Sequence, residues 1–167
     1  CLVPNSTKLY VAVSSCLTGE KVRHDATSKT SIAVLALAKD FGLLKFCPEM
    51  LMGLGTPRET ISLQQQSGAW QIIGNESTNN YTHLADIALS EIDKIFGDKQ
   101  IVAFVMKSRS PSCALGTYPP PQDKVARDGL IAERLRLKFP SALFVDEQQL
   151  ENDVAFAEFV HTLKHES

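Results

Sequence analysis

The chain has 167 residues, 44% of them hydrophobic and 22% charged, the size and balance of one globular domain. Seventeen Lys and Arg against nineteen Asp and Glu leave a formal net charge of −2, which excludes a polybasic nucleic-acid coat, an acidic tail protein and a disordered chain. General nucleic-acid binding is not expected, although a nucleotide or a small RNA contact stays compatible, because a local basic patch does not register in a net sum. The four cysteines, Cys1, Cys16, Cys47 and Cys113, are too few for a disulfide scaffold. No apolar run reaches the ~18 residues needed to span a bilayer. The composition therefore leads us to expect a cytoplasmic protein with reduced thiols and no membrane partner. Its oligomeric state is left open.

Residues 1–7 read as a tail and 8–167 as a single α/β domain. KLYVAVS at 8–14 is a short β-branched and aromatic run ending in polar Ser14, Ser15 and Cys16, the pattern of a buried parallel strand. A loop over 17–28 follows, rich in Thr, Gly and charge. Ile32, Leu35 and Ala36, with Gly42 at the C′ position, predict a helix over 29–41 capped by Ser28 or Thr30. LLKF at 43–46 is a second strand, ended by Cys47-Pro48. Pro48 suits the first position of a helical turn, which Gly53 and Gly55 soon break. Residues 60–82 carry one charged side chain, Glu76, and a QQQSG turn between apolar stretches, which predicts a β-hairpin.

Residues 82–96 place Ala85, Ala88, Leu89, Ile92 and Ile95 on one helical face, with Asp86 in the first turn and Gly97 after the end. IVAFVM at 101–106 is a third buried strand. The loop after it runs into Pro119, Pro120 and Pro121, which preclude regular structure. A helix is expected over 124–138, weakened by Gly129 and stopped by Pro140. ALFV at 142–145 is a fourth strand, and Asp146 is placed to cap a final helix, renewed at Asn152 and running to about His161. Strands alternating with helices imply right-handed crossovers, hence a Rossmann-like, mostly parallel sheet with helices on both faces.

That topology has a chemical consequence. Cys16 and Cys47 lie within two residues of a strand's C-terminal end, and Cys113 lies on the loop leaving the third strand. Parallel strands share one C-terminal edge, so three thiols distant in sequence converge where open α/β folds bind ligands. Thiolates select zinc, Cu(I) or iron–sulfur clusters, and a set of three leaves one coordination position open. The turn opened by Cys47-Pro48 and the run Ser110-Pro111-Ser112-Cys113-Ala114-Leu115-Gly116 add free N–H groups that suit an anionic centre. Geometry alone does not choose a cluster over zinc, and isolated buried cysteines are common core residues.

Three stretches, SSCLTGEKVRHD (14–25), FCPEMLMGLGTPRE (46–59) and KSRSPSCALGTY (107–118), closely resemble the 2-thiouracil desulfurase (TudS) family. S-x-C-L-x-G, C-P-E-x-x-x-G-L-x-x-P-R and K-x-x-S-P-S-C occurring together in this order form a specific signature. The resemblance implies a [4Fe-4S] cluster held by Cys16, Cys47 and Cys113 with the fourth iron open. It also implies desulfuration without net redox change of a thiolated pyrimidine such as 2- or 4-thiouracil, whose sulfur meets the open iron. Glu49 would then activate water, and Ser110 would orient it or stabilise the developing anion. Lys107, Ser108 and Ser112 are candidate substrate contacts, and Arg58 and Asp25 read as loop-fixing. His83, His161 and His165 read as solvated or core residues.

The chain departs from the family pattern at Ala26, at His24 and over CALGTYPPPQ after Cys113. Substrate identity is therefore open among a base, a nucleoside, a nucleotide and RNA. A competing reading is a non-catalytic sensing module that binds zinc or a labile cluster on the same three cysteines. Another is a doubly wound nucleotide-binding domain with core cysteines, for which no G-x-G-x-x-G is present.

Overall fold

The computed structural model describes residues 8–119 and 126–166. The tail, with Cys1, lies outside the described residues, as do Pro120, Pro121 and the first two positions of the expected 124–138 helix.

Four strands, β1 (Leu9–Ser14), β2 (Gly42–Phe46), β5 (Gln100–Met106) and β6 (Leu143–Asp146), form a parallel sheet of order β2-β1-β5-β6. Between them in the chain, β3 (Ile61–Gln66) and β4 (Ala69–Gly74) form a separate antiparallel hairpin. Its turn is Ser67-Gly68, with φ of 52° and 81°, so the three glutamines belong to the strand and not to the turn.

Alternation across the pleat explains why every central strand is apolar throughout. Val11 and Val13 of β1 and Ala103 and Val105 of β5 pack on one face, under α1 (Ile32–Ala36) and α5 (Asp153–Glu166). Ala12, Phe104 and Met106 face the other way, under α3 (Leu84–Phe96) and α4 (Leu130–Lys138). There Phe104 stacks on Phe144 at 4.7 Å and meets Phe96 edge-on at 5.7 Å. The α/β architecture with a mostly parallel, doubly covered sheet is as the sequence predicts.

Three helices differ from expectation, each for a local reason. The 29–41 helix is shorter, because Lys29 N–H donates to the Cys16 carbonyl and Ser31 N–H to that of Leu17, which holds 29–31 against the turn after β1. Ser31, not Ser28 or Thr30, caps α1 through Val34 N–H, and a 3₁₀ turn over Leu37–Lys39 finishes it. Gly42 opens β2, where a Cβ would sit 2.5 Å from the Tyr10 ring.

The 124–138 helix begins only at Leu130, with Gly129 as its N-cap and not an interior weakness. Its entry is bonded to the preceding loop: Gly129 N–H donates to the Ala114 carbonyl, Leu130 to Pro111 and Ala132 to Ser112. The last helix begins at Asp153 under an Asn152 cap and continues past His161 to Glu166, while Asp146 Oδ1 accepts from Gln149 N–H at the start of a short 3₁₀ turn over Gln149–Glu151.

In the parallel register Ser14 lies beside Phe46, Val13 beside Val105, and Met106 beside Asp146. The strand ends are therefore level, and the residues that follow them leave from one edge. The order of connections reverses between β1 and β5, the place where open sheets part to admit a ligand.

Candidate metal centre

A cavity of about 450 Å³ opens at that edge, lined by Cys16, Cys47 and Cys113 together with Glu49, Lys107 and Ser110. Cys16 sits in a 3₁₀ turn over Ser15–Thr18 directly after β1. Cys47 is the N-cap of α2 (Pro48–Leu51), whose first position is Pro48. Cys113 lies in a turn in which Ser110 Oγ accepts from the N–H groups of Ser112 and Cys113 at 3.2 and 3.0 Å. All three are free thiols, with Cys16 and Cys113 buried.

Burial, with a smaller contribution from neighbouring thiols, pushes the Cys113 thiol up to about 12 and Cys16 to about 11. For Cys16, Lys107 and Arg23 oppose the rise. Cys47 is also raised by burial, an effect eased by the backbone N–H groups of Met50 and Glu49. Protons must therefore leave these sulfurs when a metal centre binds. Among the described residues, no three His, Cys, Asp or Glu side chains gather around one point as ligands of a single ion would. All three thiols line the one cavity.

Glu49, in the first turn of α2, is held from two sides. Arg58 Nε donates to Oε1 at 3.3 Å, and Ser112 Oγ donates to Oε2 at 3.3 Å. Both distances are long for bonds to a carboxylate, so a water molecule can compete for either oxygen. Ser112 Oγ also lies 3.1 Å from Ser110 Oγ, which makes a chain of Ser110, Ser112 and Glu49 along one wall.

Arg58 is 5% exposed at its side chain and does more than pair with Glu49. Its guanidinium donates to the carbonyls of Gly55 at 2.7 Å and Val22 at 2.8 Å, and its backbone N–H donates to the His24 carbonyl. It thus clamps the loop after Cys16 to the loop after Cys47. Asp25 acts more locally, accepting from the backbone N–H and the hydroxyl of Thr27.

The expected substrate contacts, Lys107, Ser108 and Ser112, all line the cavity, but their polar atoms meet protein partners. Ser112 is 1% exposed and faces Glu49 and Ser110; Ser108 is 2% exposed and bonded to Glu147. The sequence reading did not find Glu147, which belongs to no motif, nor Thr60 and Ile61, which the hairpin contributes to the cavity wall. A signal for Glu147 was present, since it directly follows a strand at the edge that bears the cysteines.

The helix–loop contact at Gly129 leaves no space for a side chain. A Cβ there would lie 2.4 Å from the carbonyl carbon of Ser112 and 2.7 Å from the nitrogen of Cys113, both backbone atoms that cannot swing aside. Gly129→Ala is expected to destabilise the chain by about 1–3 kcal/mol and to displace Cys113, measured by urea unfolding and by the alkylation pattern of the three thiols.

No helix among the described residues is long and apolar enough to cross a membrane. The family model for 2-thiouracil desulfurase matches residues 11–148. An uncharacterized protein, YbbK of Bacillus subtilis, is 29% identical over 115 residues, 64% of this chain and 74% of that one. A solved structure described as the [4Fe-4S]-dependent thiouracil desulfidase TudS superposes with a TM-score of 0.70 at 30% identity, over 92% of this chain and 99% of that one.

Proposed function

This chain belongs to the 2-thiouracil desulfurase family, and from that membership we propose that it converts a thiolated pyrimidine such as 2- or 4-thiouracil to uracil with release of sulfide. A [4Fe-4S] cluster would be held by Cys16, Cys47 and Cys113, within the single domain read over 8–167. The observation that carries the proposal is the set of three thiols around one 450 Å³ cavity that also exposes Glu49 and Ser110. Held by three protein thiolates, such a cluster would supply Lewis-acid chemistry toward the thiocarbonyl sulfur.

The chain's own residues do the rest. Glu49 accepts a proton from water at one of its loosely bonded oxygens, directing the water oxygen at the thiocarbonyl carbon. Ser110 is placed to orient that water or to stabilise charge that develops on the ring. Ser112 holds the unused Glu49 oxygen, and Arg58 keeps the carboxylate aimed along the wall. Lys107, Ser108 and Ser112 form the wall that the substrate would pass. Water and the thiocarbonyl compound become the oxo compound and hydrogen sulfide, so no electron donor is needed.

A sensing module that binds zinc or a labile cluster on the same three cysteines would leave thiolated bases intact. The test is anaerobic incubation of the iron- and sulfide-reconstituted protein with 2- and 4-thiouracil, without reductant. Uracil and sulfide are expected in equal amounts. Intact thiouracil with a fully loaded protein would overturn the assignment.

A further inference from the structure

Glu147 is a buried carboxylate bonded behind Lys107 and Ser108, two residues that line the pocket read here as the seat of a thiolate-bound centre. A negative charge there is an electrostatic cost unless it serves a partner. It is 8% exposed and directly follows β6. Its Oε2 accepts from the backbone N–H of Ser108 at 2.8 Å, and its Oε1 accepts from the Ser108 hydroxyl at 2.5 Å. The same Oε1 lies 3.2 Å from the Lys107 ammonium.

Lys107 Nζ donates further to the Ser108 carbonyl at 2.8 Å and to its hydroxyl at 3.3 Å. Its three donors are thus taken up by Ser108 and Glu147, leaving none to grip a substrate. What remains available is its charge. Lys107 lines the same cavity as Cys16, so its ammonium faces the space where the centre would sit, and Glu147 is its ion-pair partner. Arg58, a more deeply buried cation of the wall, is already paired with Glu49.

The anchoring extends along the loop. Arg109, next after Ser108, has a left-handed φ of 63°, an unfavourable conformation for a residue with a side chain. Its N–H is fixed by Thr117 Oγ1 at 2.9 Å, and Glu147 fixes its neighbour. Between these two holds, the loop turns into Ser110, Ser112 and Cys113.

We infer that Glu147 is a positioning residue, which from the end of β6 locks Lys107 and Ser108 in place and makes the Lys107 ammonium a fixed counter-charge to the metal centre. The inference rests on the cluster assignment above and extends it to two residues outside the ligand set.

The test is the midpoint potential of the reconstituted cluster in the parental protein, in Glu147→Gln, in Lys107→Met and in the double variant, followed by spectroscopic redox titration. Glu147→Gln keeps the size and an acceptor for Ser108 but removes the negative charge, so the potential is expected to move positive. Lys107→Met removes the positive charge and moves it negative, and the double variant returns toward the parental value. A merely structural tie lowers the unfolding midpoint while leaving the potential unmoved, and that result, or shifts of the same sign in both single variants, overturns the inference. Should Glu147→Gln fail to fold, Lys107→Met and Glu147→Asp carry the test, with a negative shift expected in the first and none in the second. A parental protein that loads no iron overturns the proposed function, whereas a loaded protein with unmoved potentials overturns only the role of Glu147 and Lys107.

Discussion

Replacing Cys16, Cys47 or Cys113 singly by serine is expected to abolish both the visible absorption of the reconstituted protein and its release of sulfide. The reason is a count of ligands. In the proposed centre, three protein sulfurs would leave one iron without a protein donor, and removing any one of them would leave two corners of a cubane uncovered. A serine hydroxyl is a poor substitute, because it is far harder to deprotonate than a thiol and is a hard donor to soft iron. The fold itself should survive. Cys113 and Cys16 are 5% and 8% exposed and border the cavity as well as the two core layers, so the change is confined to one atom at each position. Serine there costs about 1–3 kcal/mol for an imperfectly satisfied hydroxyl. The checking measurements are iron content, the absorption spectrum and far-ultraviolet circular dichroism on the same samples. Full iron loading in any one variant would remove that cysteine from the ligand set.

Glu49→Gln is expected to give the opposite combination, a loaded cluster and a dead enzyme. The side chain keeps its size, and its amide oxygen still accepts from Arg58 or from Ser112, so the wall around Cys47 should hold. What disappears is the basic carboxylate oxygen. Loss of a positioned general base typically costs about 10²–10⁴ in rate, and here the fall should appear in kcat at unchanged iron content. Turnover within tenfold of the parental rate in a fully loaded variant would mean that Glu49 does not take the proton. Ser110→Ala separates the remaining roles: its hydroxyl oxygen also braces the N–H groups of Ser112 and Cys113, so that variant should lose some cluster stability as well as rate.

The contrast between what the sequence carried and what it hid follows from the range of the forces involved. Strand identity was legible because Val11, Val13, Phe104 and Val105 are apolar on both faces of a doubly covered sheet, a signal written in consecutive residues. Convergence of the thiols followed from chain order alone, since parallel strands share an edge. Helix ends were less legible, because they are set by partners far away in the chain. The Cys16 and Leu17 carbonyls pull 29–31 out of α1, and the loop over 111–114 fixes where α4 starts. No local propensity records those bonds. Arg58 read as a loop fixer, and it is one, but its bond to Glu49 depends on a nine-residue excursion that periodicity cannot trace. The place of Glu147 at the strand edge was legible, but its bonds were not, because its partners, Lys107 and Ser108, lie 39 and more positions away.

The proposed centre is an iron–sulfur cluster held by three thiols with one iron left for the substrate. It is tested most directly by Mössbauer spectroscopy of protein reconstituted with ⁵⁷Fe, recorded with and without 2-thiouracil. About four irons per chain are expected, one of them distinguishable from the rest and changing its signal when thiouracil is added. Four equivalent irons indifferent to thiouracil, or a protein that takes up zinc and no iron, would contradict it.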